Sequence, residues 1–208
     1  MSSPSSLRKV KLIDGRVVGR PVVEAELYRD YPAGQLETVE SQWAEAREQA
    51  AATGLAAGLA PLEHSHWDWR TKADSVEVGR HMLVAIECAG EAQGIMAVVR
   101  TPRDAKLSMA HVVYVDYVES APWNIKGTAV APRFLGVGTI LIADAVRLSL
   151  EMGLAGRVGL HSLPQAEAFY GRCGMTRIGA DPDYYELTYF EFTDQQSANW
   201  LVSIGESP

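Results

Sequence analysis

Apolar and polar positions recur along this chain regularly enough to place most of its elements. Val22, Val23, Ala25 and Leu27 predict a short first strand. Residues 35–52 are rich in Glu, Ala and Gln, with Leu36, Val39, Trp43 and Ala46 at helical spacing, and predict an amphipathic helix that breaks at 54–61. Residues 81–88 and 93–100 flank the four-residue connection Ala89-Gly90-Glu91-Ala92 and read as an antiparallel hairpin. Residues 110–120, dense in Val and Tyr, predict a longer strand that Ala121-Pro122-Trp123-Asn124 ends.

From Gly136 the period becomes 3.6. Val137, Ile140, Leu141, Ala145 and Leu148 line one side, with Asp144, Arg147 and Glu151 on the other, and Gly153 is the expected stop. Residues 157–160 read as a strand. Ser162-Leu163-Pro164-Gln165 has the form of a capping box ahead of a short helix through Ala166, Phe169, Tyr170 and Cys173, ended by Gly174. Residues 184–192 read as a strand, and Thr193-Asp194-Gln195-Gln196 caps a last helix through Leu201. This order predicts an α/β or α+β class: a mixed sheet with helices on both faces.

Composition narrows the classes. The chain has 208 residues, 47% hydrophobic and 22% charged, which suits one folded domain and excludes disorder. Residues 1–20 show no sustained period and read as a flexible basic leader, leaving 21–208 as a single domain. That leader holds five basic residues against Asp14, so the rest carries 14 basic and 25 acidic residues, a net −11. Such a body disfavours nucleic acid and favours cationic partners. No segment is apolar enough to span a membrane or act as a signal peptide, and Cys88 and Cys173 are too few for a disulfide framework, so a cytoplasmic protein is expected.

The chemistry concentrates in Arg133-Phe134-Leu135-Gly136-Val137-Gly138-Thr139. Glycines at a helix start let backbone approach a ligand, and the free N–H groups there attract phosphate oxygens, to which Arg133 adds a forked cation. The same string also suits a plain tight turn. A dinucleotide fingerprint would need glycine at Leu141, and a P-loop would need Gly-Lys-Ser/Thr, so neither fits. His64-x-His66-x-Asp68 can present three ligands if extended, but no second cluster completes a metal site, and no metal is expected. Trp67 and Trp69 read either as packing or as a wall for a cationic amine.

Arg133-x-x-Gly136-x-Gly138, followed about 30 residues later by Ala166-x-x-x-Tyr170-x-x-x-Gly174-Met175, resembles the paired motifs of the GNAT N-acetyltransferase superfamily. The stretches 114–124 and 157–163 look like a little-characterised bacterial branch of it. The resemblance covers roughly residues 80–193; Met175 replaces a phenylalanine, and Leu163 stands where many members carry asparagine. It implies a mostly antiparallel sheet with splayed central strands, and acetyl-CoA as co-substrate held by residues 133–139 and by backbone near Val118 and Ser120. It also implies transfer of acetyl directly to a primary amine of a small molecule or peptide, with Tyr170 as the acid that protonates the departing thiolate. Glu119 at the strand end is the candidate base, with His161 and Asn124 as alternatives. The competing readings are a catalytically weak CoA-binding regulatory or interaction module, and an acetyltransferase acting on a macromolecule. A homodimer is compatible with all three.

Overall fold

In the computed structural model the described residues are 8–56, 67–75, 79–125 and 131–206. Among the described residues the fold is mixed α/β, the class that the order of elements predicts, with nine strands where the sequence pattern marks six, and they are mostly antiparallel, as the resemblance implies. The chain clusters into two compact units, and it crosses between them within single elements. One comprises residues 1–97 and 117–141, the other residues 98–116 and 142–208.

In the first unit, β1 (Arg8–Asp14) pairs antiparallel with β2 (Val22–Arg29), and β2 with β3 (His81–Cys88). The presumed leader is therefore ordered from Arg8. Val10, Leu12 and Asp14 point inward while Lys9 and Lys11 face solvent, a period-two pattern that the basic residues disguise. β4 (Glu91–Asp104) follows β3 through the two-residue turn Ala89-Gly90, both with positive φ (56° and 77°), rather than the four-residue connection the sequence suggests. Helix α1 (Leu36–Ala56) runs past Gly54, the expected break, and buries Leu36, Val39 and Trp43. These pack with Tyr28, Tyr31, Trp69, Leu83 and Ile95 in one core, which the short α2 (Trp69–Ser75) joins through Trp69.

β5 (His111–Ser120) confirms the preferred central strand. It is followed by a 3₁₀ turn at Pro122–Asn124, and β6 (Phe134–Leu135) then pairs with β1 and leads into α3 (Val137–Glu151). Asp144 is buried on α3, not on the exposed side that its spacing suggests, and Arg147 pairs with Glu206.

In the second unit β5 runs parallel to β7 (Val158–Ser162), with register from Val113–Val158 to Val115–Leu160. Among the described residues that pairing ends there although both strands run on. α4 (Glu167–Cys173) ends at Gly174, whose φ of 88° suits glycine. β8 (Thr176–Asp181), a strand the pattern does not announce, pairs with β9 (Leu187–Phe192), which also pairs with β7. The capping box expected at Ser162 does not form, because Ser162 Oγ donates to the Leu163 carbonyl; the one at Thr193 does, opening α5 (Asp194–Ser203).

Candidate active site

Residues 133–139 are held from three sides. Phe134 N donates to Asn124 Oδ1 (2.7 Å), Arg133 N to the Trp123 carbonyl (2.9 Å), and Gly15 N to the Arg133 carbonyl (3.0 Å). Asn124 in turn donates to Gln93 Oε1, which also accepts from Trp123 Nε1 (2.8 Å). Asn124 is thus a buried brace for the loop, not a base. Gln93, fully buried at the start of β4, anchors it without any mark in the sequence pattern.

Gly136 turns the chain into α3 with φ of +94°, a backbone state that disfavours any side chain. Ile140 N closes the first helical bond, to the Gly136 carbonyl (2.9 Å). By helix geometry the N–H groups of Val137, Gly138 and Thr139 have no intrahelical acceptor, and the dipole adds positive potential there. The Arg133 guanidinium is ion-paired with Glu91 and lies 5.3 Å from the Phe134 ring centre. Its buried Nε has no hydrogen-bond partner among the described residues.

The end of β5 reaches the same helix start through Gly94. A Cβ there would collide with Val137 Cγ1 and lie 3.2 Å from the Glu119 carbonyl oxygen, so the absence of a side chain permits both approaches. Val118 and Ser120 are half-buried, and strand alternation puts them on the face opposite Glu119.

Glu119 sits among groups that the sequence reading does not connect. Its carboxylate accepts from Trp69 Nε1 (2.7 Å) and pairs with Arg47 (3.3 Å), which is also ion-paired with Glu40; Glu40 accepts from Trp69 N (2.9 Å). The Glu119 and Glu40 side chains are 2% and 3% exposed. One guanidinium therefore serves two buried carboxylates. Burial pushes the Glu119 carboxyl up to about 7, against the pull of Arg47 and Trp69. The available signal was Glu40 and Arg47 falling four residues after Leu36 and Trp43, within the buried stripe of α1.

Asp68 caps α2, accepting from Arg70 N (2.8 Å) and pairing with the Arg70 side chain, a local role that metal ligation would disrupt. His64 and His66 lie outside the described residues. Trp69 is core and Trp67 is half-buried.

Tyr170 belongs to the second unit. It is buried on α4, its ring 5.7 Å from that of Phe190, and among the described residues its hydroxyl has no hydrogen-bond partner. Burial raises the phenol well above its ordinary range, so it holds its proton at neutral pH. Cys173 beside it is a buried free thiol raised to about 11 by burial, consistent with packing. His161, in the same unit, is held by Tyr114 (2.6 Å to Nδ1) and Asp181 (2.9 Å to Nε2) and stacks on Tyr184 at 3.9 Å. Among the described residues no helix is long and apolar enough to cross a membrane.

No protein-family model matches the sequence, and no curated protein matches it significantly. Solved structures do. A GNAT-family acetyltransferase from Listeria monocytogenes superposes with a TM-score of 0.54 at 14% identity, covering 88% of this chain and 99% of that one. The PaiA N-acetyltransferase of Thermoplasma acidophilum, solved with coenzyme A, gives 0.51 at 15% identity over 81% and 98%. A protein described as a bacterial toxin gives 0.50 at 18% identity over 67% and 81%. With nine mostly antiparallel strands among the described residues and a glycine-opened α3, this chain has the fold of the GNAT acetyltransferases.

Proposed function

We propose that the protein is an acetyl-CoA-dependent N-acetyltransferase that moves acetyl directly to a primary amine of a small molecule or peptide. The observation that carries this reading is the first turn of α3, opened by Gly136 at φ +94°, within this fold. Three N–H groups without intrahelical acceptors suit the diphosphate of coenzyme A, whose charge the helix dipole stabilises. Residues 133–139 hold that end, and backbone near Val118 and Ser120 receives the pantetheine arm.

Acetyl transfer forms a carbon–nitrogen bond and breaks the thioester carbon–sulfur bond. The thiolate needs a proton and the amine must lose one. Tyr170, raised by burial and still protonated at neutral pH, suits the first task. Glu119, poised at about 7, suits the second, directly or through water. Its protonation leaves Arg47 paired with Glu40 alone, so the buried cluster carries one net negative charge while Glu119 is ionised and is balanced once Glu119 takes the proton.

Calorimetric titration with acetyl-CoA tests the first step; absence of binding removes the reading. A thiol-release assay against polyamines, amino acids, aminoglycosides and peptides identifies the acceptor. Tyr170→Phe is expected to lower kcat on the order of 100-fold with little change in acetyl-CoA affinity. An unchanged kcat assigns the acid role elsewhere.

A second reading, a CoA-binding module without turnover, draws on one observation: the oxygens of Glu119 are already engaged by Arg47 and Trp69. Acetyl-CoA binding with no thiol release across the amine panel would favour it.

A further inference from the structure

Arg16 lies in the turn between β1 and β2, and its guanidinium is fixed along one edge. Nε and Nη2 donate to the two carboxylate oxygens of Asp14 (3.1 and 2.8 Å), and Asp14 also accepts from Arg16 N (3.0 Å). The remaining guanidinium N–H groups have no acceptor among the described residues, and the side chain is 50% exposed. A planar fork oriented in this way loses little freedom when its other edge takes up an oxygen anion.

The turn is seated on the segment that leads into α3. Asp14 and Ile13 pair with Phe134 and Leu135, and a Cβ at Gly15 would lie 2.3 Å from the Pro132 carbonyl oxygen, so only glycine permits this approach. Arg16 Cζ lies 5.4 Å from the Phe134 ring centre, and Arg133 Cζ lies 5.3 Å from the same centre. Two guanidiniums therefore meet at one ring, two residues before Gly136. Each brings its own carboxylate, Asp14 for Arg16 and Glu91 for Arg133, which is how two cations share the place without net repulsion.

We propose that Arg16 selects the cofactor by its ribose 3′-phosphate, while the diphosphate goes to the N–H groups that open α3 and to Arg133. The inference rests on the acetyl-CoA reading above and adds to it a contact from the basic N-terminal strand, outside the residues that carry the family resemblance. Coenzyme A bears phosphate at two places on one nucleotide, and two guanidiniums at one ring match that division. A phosphate monoester is largely dianionic at neutral pH and offers two oxygens side by side to a guanidinium edge. The contact is ionic, with no bond made or broken. It gives the ordered hairpin of β1 and β2 a part in telling coenzyme A from its dephosphorylated form.

The test is calorimetric titration of coenzyme A and 3′-dephospho-coenzyme A into wild type, Arg16→Met, Arg16→Gln and Lys11→Met. The last removes a cation from β1 where it faces solvent. Wild type is expected to bind coenzyme A about tenfold more tightly than the dephospho form. Arg16→Met should bind the two alike, with its affinity for the dephospho form within about twofold of wild type. Arg16→Gln, which can still donate to Asp14 but carries no charge, should behave in the same way and decides the matter if thermal midpoints show Arg16→Met to be unfolded. Lys11→Met should keep the wild-type preference; losing it as Arg16→Met does would reduce the effect to general charge and overturn the contact. A wild type without preference, a folded Arg16 variant that keeps it, or an Arg16 variant that weakens both ligands equally also overturns the contact, while coenzyme A binding by the wild type leaves the acetyl-CoA reading standing. If wild type binds neither ligand, it is the acetyl-CoA reading that fails.

Discussion

Arg47 carries more of the first unit's electrostatics than any residue that sequence reading singles out. Glu119 is legible as a carboxylate at the end of a central strand, but its two partners are 72 and 50 residues away in sequence, and only folding brings them together. Replacing Arg47 with Met leaves Glu40 and Glu119 buried without a cation. The expected cost is about 3–5 kcal/mol, read as a lower urea midpoint, and a Glu40→Gln second change should recover part of it by removing one of the two charges. A loss below about 1 kcal/mol would show that the pair is better solvated than its burial indicates. Glu119→Gln addresses chemistry rather than stability. If the carboxylate is the base, kcat/KM of the wild type rises with pH through about 7, and the variant loses that limb along with roughly 100-fold in rate. A variant that keeps the limb places the base elsewhere.

Elements were legible where period and punctuation agree. The helix from Gly136, the Val- and Tyr-rich central strand and the Thr193 capping box all carry both signals. Where one signal is masked, the reading slips. β1 hides beneath its lysines; the hairpin turn at Ala89 needs a positive φ that alanine does not advertise; β8 exposes most of its side chains and carries a bulge between Arg177 and Gly179. Gly94 shows how an element can be positioned by what a residue lacks. An alanine there must displace Val137, the first residue of α3, and press on the Glu119 carbonyl. Gly94→Ala is therefore expected to cost about 1–3 kcal/mol and to weaken acetyl-CoA binding several-fold, since it moves the helix start itself. Thr193→Ala should cost about 1 kcal/mol by removing a cap and leave that affinity as it is. Equal effects on binding from the two variants would contradict the positioning role.

Across the molecule the two units carry buried groups whose titrations oppose each other. Glu119 has its carboxyl raised from 4.5 to about 7, so the folded protein holds a proton there that the unfolded chain has released. Its contribution is complete below 4.5 and is lost as pH rises through about 7. His161 is shifted the other way: burial lowers its pKa below 6.5, and as a neutral ring it can accept from Tyr114 at Nδ1 while donating to Asp181 from Nε2. A protonated ring would have to donate to both. The unfolded chain gains this proton first, so the His161 contribution is present above 6.5 and falls away as pH drops. Asp181, held to about 2 by Lys106 and His161, adds an acid loss only below the ordinary aspartate range. Between pH 5 and 7 the two main terms run against each other, and the urea midpoint of the wild type should change less than that of either variant. Glu119→Gln leaves the His161 term alone, so stability should climb with pH; His161→Gln leaves the Glu119 term, so it should decline. Two variants with the wild-type slope would mean that neither group changes protonation on folding in this range.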